Sequence, residues 1–360
     1  MKSYRNLFGR LCDYDNLLLA FKKAKKRKSK KQYVIDFEKN LQNELFKLQW
    51  ELLTGTYRPR PLTTFTVRDP KTRRISSSHF RDRVVHHAVC NIIEPIFEKR
   101  FICDTYANRK GKGTLAALKR FDCFLRKTTK NGRTIIVAKT GNDVIGYALK
   151  ADIKHYFETV DHPVLISILR KRICDEDLLN LIQLILENHK TEIPEKGMPL
   201  GNLTSQFFAN VYLGELDYFV KHDLKLKYYV RYVDDFIILE QNRALLEEYK
   251  QRISRFLLEK LKVELHQEKS RIIPLHRGIT LLGFRVFYHY KLLKKANLNR
   301  IEKRILKLKE KLARGETDRE HIALNIAGWE GYAKMANTHK LRMNIRKRAK
   351  ELFVFVTNNI

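Results

Sequence analysis

Apolar residues recur along this chain with two different periods. Phe37, Leu41, Leu45, Leu48 and Leu52 step by three or four residues, the spacing of one buried helix face. Ile301, Ile305, Leu308 and Leu312 repeat that spacing, and Lys303, Arg304, Lys307, Lys309 and Lys311 fall between them. This predicts an apolar stripe on a basic helix. Helical patterning also covers 84–97, 163–172, 177–188 and 205–220. Segments 144–152 and 227–239 are rich instead in β-branched and aromatic residues, which favour strands. Two acids interrupt 227–239, so it predicts strand, acidic turn, strand. Phe65, Val67 and Ile75 flank the basic run 68–74 and predict a hairpin with a charged tip. Segments 54–59 and 108–113 read as loops. The second is rich in Gly and Lys but lacks the G-x-x-x-x-G-K-[ST] spacing of a phosphate-binding P-loop. The mixture is α+β.

Charge changes this picture more than hydrophobicity does. With 360 residues and 44% hydrophobic content, the chain has room for two or three subdomains. It carries 72 Lys and Arg against 40 Asp and Glu, a net charge of +32. Such an excess repels itself unless a polyanion shares the surface. Nucleic acid is the prime candidate, since phosphate contacts supply most of its affinity. Ribosomal-type binders and basic membrane-surface proteins show the same balance, so charge gives only a partner class. Eight of the ten residues 22–31 are Lys or Arg, which reads equally as a solvated arm or as an RNA clamp. The five cysteines, Cys12, Cys90, Cys103, Cys123 and Cys174, form no C-x-x-C pair. That speaks against a zinc site, and the odd count speaks against a disulfide framework. There is no apolar signal core and no run near the ~18 apolar residues of a membrane span. The expectation is a soluble, intracellular protein with reduced thiols and no membrane partner.

Tyr232-Val233-Asp234-Asp235 lies between the β-prone runs Tyr228-Tyr229-Val230 and Phe236-Ile237-Ile238-Leu239. Most Asp-Asp pairs only cap turns. Here the flanking strands put the pair on a hairpin tip, where both carboxylates can approach one cation. Asp152 ends another apolar run and supplies a third acid, although it also reads as an N-cap for the segment after it. Three carboxylates without histidine suit Mg²⁺. A pair of Mg²⁺ ions in such a cage serves phosphoryl transfer: one activates an attacking 3′-hydroxyl, the other steadies the triphosphate and the leaving pyrophosphate.

The ordered motifs around these acids resemble the reverse transcriptase family over nearly the whole chain. Arg81-Asp82-Arg83-Val84-Val85-His86-His87-Ala88 and Glu94-Pro95-Ile96-Phe97 resemble the fingers segment of bacterial retroelement enzymes. Asp152 to Phe157 resembles the first palm motif, Gly197 to Gln206 the second, and Tyr232 to Asp235 the third. Lys269 resembles the fourth, and Leu281-Leu282-Gly283-Phe284 the primer grip. Each motif alone is weak; six in order are specific.

The resemblance implies an α+β right-hand polymerase fold, with fingers, a palm of antiparallel sheet backed by helices, and a helical thumb. It divides the chain into a basic helical extension (1–60), fingers (61–143), palm with interleaved fingers elements (144–285) and thumb (286–360). It implies an RNA-directed DNA polymerase using two Mg²⁺ ions, with Mn²⁺ as a substitute, held by Asp152, the Ile153 position, Asp234 and Asp235. Lys269 is then the general acid for the leaving pyrophosphate; its bland reading is a surface lysine. Lys71 and Arg73 would grip the triphosphate, with Arg74 as the alternative to Arg73. Leu200, Gly201 and Gln206 would line the nucleotide site. Phe157 would pack under the sugar and exclude a 2′-hydroxyl, or else be plain core. Leu282, Gly283 and Phe284 would hold the primer.

The second palm motif narrows the resemblance. Group II intron enzymes show G-x-P-Q-G-x-x-x-S-P there; this chain has Leu200 in place of Gln and Gln206 in place of Pro. Leu200-Gly201-Asn202-Leu203-Thr204-Ser205-Gln206 is similar to reverse transcriptases of diversity-generating retroelements, as is Gly328-Trp329-Glu330-Gly331-Tyr332-Ala333 followed by Thr338-His339. That group implies error-rich, adenine-directed cDNA for mutagenic retrohoming in a bacterial or phage-encoded cytoplasmic system. The implied partners are a structured template RNA, the RNA–cDNA hybrid, dNTPs and a small basic pentameric accessory protein, the accessory variability determinant. The +32 charge supports the RNA and not the basic partner. The rivals are a group II intron, retron or defence-associated enzyme, and an idle RNA-binding protein on the same scaffold. A maturase is expected to carry a further RNA-binding region, for which the residues after the thumb leave little room.

Overall fold

A computed structural model of the chain describes residues 3–68, 71–141 and 143–357, with side chains to residue 349. Asp69 and Pro70, at the tip of the expected basic hairpin, lie outside the described residues. The chain opens with α1 (Leu7–Cys12), α2 (Tyr14–Lys25), α3 (Gln32–Lys39) and α4 (Leu41–Leu53), then the strands β1 (Thr63–Val67) and β2 (Arg73–Ser77). Helices α5 (Phe80–Glu98) and α6 (Thr114–Thr128) precede β3 (Tyr147–Asp152). Next come α7 (Tyr156–Thr159), α8 (His162–Arg170), α9 (Glu176–Glu187), α10 (Leu203–Tyr218), β4 (Tyr229–Tyr232), β5 (Asp235–Glu240) and α11 (Arg243–Leu261). The rest is β6 (Arg271–Pro274), β7 (Ile279–Leu281), β8 (Phe284–Val286), β9 (Lys291–Leu293), α12 (Lys295–Ala313), α13 (Arg319–Ala333) and α14 (His339–Thr357). The mixture of helices and sheets is the α+β class expected. No described helix is long and apolar enough to cross a membrane.

These elements form two compact units, each discontinuous in sequence. One holds the described residues of Met1–Gly113, Lys150–Ile237 and Glu247–Arg271. The other holds those of Thr114–Leu149, Ile238–Leu246 and Ile272–Ile360. A four-stranded sheet has the order β4-β5-β3-β6. The ends of β3 and β5 that carry the acids belong to the first unit.

The first unit is built on two helices that are buried almost all round. On α5, Phe80, Val84, Val85, Ala88, Val89 and Ile93 are buried; on α10, Phe207, Phe208, Val211, Tyr212 and Leu213 are. A helix apolar on every side belongs at the centre of its unit, and α5 packs against α1, α2 and α10. Helix α5 also starts four residues earlier than its apolar pattern. Arg81 and Asp82 extend it because they are buried as pairs. Arg81 pairs with Glu51 and Asp82, and Asp82 accepts from Tyr57 Oη at 2.9 Å and from the Arg60 N–H at 3.0 Å.

The stripe from Phe37 to Leu52 is two helices rather than one. Asn40, with φ −125° and ψ 38°, breaks the chain between α3 and α4. Its carboxamide accepts from Asn43 at 2.8 Å, the local competition that makes Asn a poor helix interior. Phe37 is buried from α3, and Leu45, Leu48 and Leu52 from α4.

In the second unit, β7, β8 and β9 form an antiparallel meander. Ile301, Ile305 and Leu308 of α12 make a core with Ile322, Ile326, Ile345 and Ala349. Leu312 packs against it part-buried, so the predicted stripe faces inward.

Candidate active site

The Asp234-Asp235 pair sits where the sequence places it. Strands β4 and β5 are neighbours joined by Val233 and Asp234, and so short a link forces an antiparallel hairpin. Val233 takes the left-handed conformation, φ 57°, which is costly for a β-branched residue. Both carboxylates are half-buried. Burial pushes the Asp234 carboxyl up to about 6, with Asp235 and Asp152 adding to the rise, while its own N–H and Arg73 oppose it. Burial also raises Asp235, against the pull of Lys150 and with the push of Asp152. The three acids therefore lie within each other's field.

Asp152 ends β3, next to β5 in the sheet. Its oxygen Oδ2 takes an ion pair from Lys269 Nζ at 2.7 Å. The alternative N-cap reading of Asp152 does not hold, because α7 begins only at Tyr156 with His155 in the cap position. Residues 152–154 are clipped to the segment that carries Lys269. Ile153 bridges Leu265, the Asp152 carbonyl accepts from the His266 N–H at 2.8 Å, and the Lys154 N–H donates to Glu264 O at 2.8 Å. Ser270 Oγ accepts from the Asp152 N–H at 3.3 Å. The first and fourth palm motifs are thus one structural unit.

Among the described residues no three His, Cys, Asp or Glu side chains form a ready metal cage. The donor set nonetheless fits a hard divalent cation, which favours carboxylate oxygen. It is all carboxylate, Asp152 raises the proton affinity of both Asp234 and Asp235, and Lys269 pairs with Asp152.

The hairpin of β1 and β2 puts its neighbouring basic residues on different faces. Its register pairs Val67 with Arg73, Phe65 with Ile75, and Thr66 with Arg74. Side chains alternate across a strand, so Arg73 shares a face with Ile75, and Arg74 lies on the other. Ile75 faces Gly201, where an added Cβ would come within 2.8 Å of the Ile75 methyl. Arg73 acts on Asp234, and Lys71 on Asp235, whereas Arg74 acts on His189. Of the two arginines, Arg73 acts on an acid of the cluster and Arg74 acts elsewhere.

The second palm motif is tied to that hairpin. The Leu200 carbonyl accepts from the Ser76 N–H at 3.0 Å, and Asn202 Oδ1 accepts from the Ser78 N–H at 3.2 Å. Leu200 is half-buried, and Gly201 and Gln206 are exposed. Phe157 is half-buried, stacks edge-on to Tyr156 and accepts from the Met198 N–H at 2.6 Å through its carbonyl. It is not plain core.

The expected primer grip lies in the other unit. Leu282 and Gly283, with φ 48° and 90°, form the two-residue turn between β7 and β8, as primed hairpin turns require. A Cβ on Gly283 would collide with Tyr332 Oη. Phe284 is fully buried and packs on Tyr332, so its side chain supports the turn from the core and presents nothing outward.

Three features escaped the sequence reading. Lys150, two residues before Asp152 on β3, is the charge that acts most strongly on Asp235; its i−2 position was the available signal. Ser270 holds the Asp152 backbone. Beneath the acidic tip, Arg231 is fully buried and paired through Nε and Nη2 with Asp217 at 2.7 and 2.6 Å. Nothing local in the sequence announces that pair.

Residues 67–286 match the family model described as reverse transcriptase (RNA-dependent DNA polymerase), and the chain belongs to that family. Every site residue expected from the sequence, from Lys71 to Phe284, falls inside the matched stretch. The chain is 26% identical over 282 residues to protein YkfC of Escherichia coli (strain K12), covering 68% of this chain and 71% of that protein. It is 25% identical over 313 residues to the group II intron-encoded protein LtrA of Lactococcus lactis subsp. cremoris, covering 68% of this chain and 49% of that one, so it spans about half of LtrA's length. A solved structure of apo telomerase from Candida tropicalis, truncated from its C-terminal domain, aligns at TM-score 0.46 and 14% identity, covering 68% of this chain and 57% of that chain.

Proposed function

We propose that this protein is an RNA-directed DNA polymerase that makes error-rich, adenine-directed cDNA from a template-repeat RNA for mutagenic retrohoming. The observation that carries the polymerase reading is the cluster of Asp152, Asp234 and Asp235 with Lys269 at 2.7 Å from Asp152. Divalent cations bound by the three acids and the Ile153 position supply activation of a 3′-hydroxyl and charge stabilisation of the triphosphate. Lys71 and Arg73 orient the triphosphate. Lys269 delivers the proton that the leaving pyrophosphate takes up. Phe157 selects the deoxyribose. The Leu282-Gly283 turn, backed by Phe284, positions the primer, and the basic helix α12 tracks the hybrid backbone as a thumb.

Low fidelity is supported by Leu200. Its carbonyl is committed to Ser76, and its apolar side chain offers no hydrogen bond to an incoming nucleotide. Strong discrimination depends on such bonds. The +32 charge supports a structured RNA template; the small basic accessory protein would join through that RNA. A group II intron-type enzyme is the second reading, favoured by the similarity to LtrA. Sequencing cDNA made on an adenine-containing RNA template separates the two. Misincorporation concentrated opposite adenine, and reduced in Leu200→Gln, supports the proposal. Uniform fidelity favours the second reading; adenine-directed errors unchanged in Leu200→Gln would overturn the role given to Leu200.

A further inference from the structure

The buried pair beneath the acidic tip does more than hold two elements together. Arg231 on β4 is completely buried, and Asp217 near the end of α10 nearly so. Asp217 accepts four hydrogen bonds: Arg231 Nε at 2.7 Å, Arg231 Nη2 at 2.6 Å, Tyr229 Oη at 2.8 Å and Thr105 Oγ1 at 2.9 Å. Both carboxylate oxygens are fully used. Burial works against the charge of Arg231, and Asp217 overcomes it, so the guanidinium stays charged. Its backbone is gripped as well: the Arg231 N–H donates to Asp104 O at 3.0 Å, and the Arg231 carbonyl accepts from the Tyr106 N–H at 3.1 Å.

One guanidinium nitrogen, Nη1, is not used on Asp217. It donates to the Val233 carbonyl at 3.0 Å and to Asn210 Oδ1 at 3.3 Å. Val233 is the residue forced into the left-handed region. Its carbonyl belongs to the same rigid peptide plane as the Asp234 nitrogen and Cα, and that Cα carries the Asp234 carboxylate. Rotating this plane would break the Arg231 bond and move the Asp234 carboxylate together.

We propose that Arg231 is a positioning residue for the polymerase reaction: anchored by Asp217, it locks the strained Val233–Asp234 peptide and so aims the Asp234 carboxylate. This rests on the polymerase reading above, but the lock is testable without it. Arginine suits the task because its planar fork satisfies a carboxylate and still has a donor for a third acceptor. Lysine would keep the charge and lose the fork.

The test uses the full chain and two readouts. Amide hydrogen exchange at residues 232–236, without divalent cation, reads the lock itself. Mn²⁺ binding followed by electron paramagnetic resonance reads its consequence for the acids. Arg231→Lys is expected to speed exchange at the tip at least tenfold, leave the body of β4 and β5 protected, and weaken Mn²⁺ binding about tenfold. Adding Val233→Gly, which removes the left-handed strain, is expected to recover part of the Mn²⁺ affinity. Removing one partner of a buried pair leaves a bare charge, so Arg231→Gln with Asp217→Asn serves as a second variant, with the same expected exchange at the tip. Wild-type exchange at the tip in both variants overturns the proposal. So does uniform loss of protection that Val233→Gly does not relieve, since that is a purely structural role. Wild-type protein whose Mn²⁺ binding is unaffected by Asp234→Asn overturns the metal reading instead, and the exchange result still judges Arg231.

Discussion

Lys269 Nζ lies 2.7 Å from Asp152 Oδ2, although 117 residues separate them in the chain. The segment 264–266 is bonded to the end of β3 on both sides of Ile153, so the lysine is held at the acids by backbone and not by chance. A general acid there contributes about 10²-fold or more. Lys269→Ala is expected to lower kcat about 100-fold with little change in KM for dNTP, read by steady-state extension kinetics. An unchanged kcat would return Lys269 to the surface-charge reading.

The hairpin register separates two neighbouring arginines. Arg73 pairs with Val67 on the face of Ile75, and Arg74 pairs with Thr66 on the other. Arg73→Ala is expected to raise the KM for dNTP about tenfold, the loss of a charge-assisted phosphate contact. Arg74→Ala should change it far less. Steady-state kinetics of the two variants, side by side, decide; equal effects contradict the register argument.

Phe157 is half-buried and its carbonyl is fixed by the Met198 N–H, so trimming its ring should leave the backbone in place. Phe157→Ala is expected to weaken discrimination against rNTPs by at least about tenfold, as a removed steric contact does. Competition between dCTP and CTP in single-nucleotide extension measures it. Wild-type selectivity in the variant would assign the selection elsewhere.

These expectations show which parts of the site were legible in the sequence. The acids and the palm motifs are short local runs, and the chemistry of each run survives folding. What was not legible depends on distance or register. Arg73 and Arg74 are equivalent as letters, and only strand pairing distinguishes them. Phe284 belongs to the primer-grip motif, yet its ring is core because Tyr332 lies against it. Arg231 and Asp217 look like ordinary polar residues, on a strand and near a helix end, until the fold closes them into one network. Asn40 splits what apolar spacing joined, because periodicity does not register a local hydrogen bond.

Acid should weaken the first unit through α5. His86 is buried there, and its Nδ1 has no hydrogen-bond partner among the described residues. Burial, with His87 and Arg83, holds it down to about 3. It is neutral in the fold, while in the unfolded chain it titrates near its ordinary value. The stability this confers is complete above the unfolded pKa of about 6.5 and is lost as pH falls toward the folded one. The slope is about 1.4 kcal/mol per pH unit. Urea unfolding between about pH 6 and 4.5 should show a shallower dependence in His86→Leu by roughly that amount. Equal slopes would mean His86 is not held neutral.

If Asp152, Asp234 and Asp235 carry the polymerase chemistry, primer extension on an RNA template with Mg²⁺ and dNTPs separates the wild type sharply from Asp234→Asn. Full-length cDNA is expected from the wild type, with a loss of at least about 10³-fold in the variant, on the scale of removing a key electrostatic catalytic group. Undiminished synthesis by Asp234→Asn would rule out that role for the three acids.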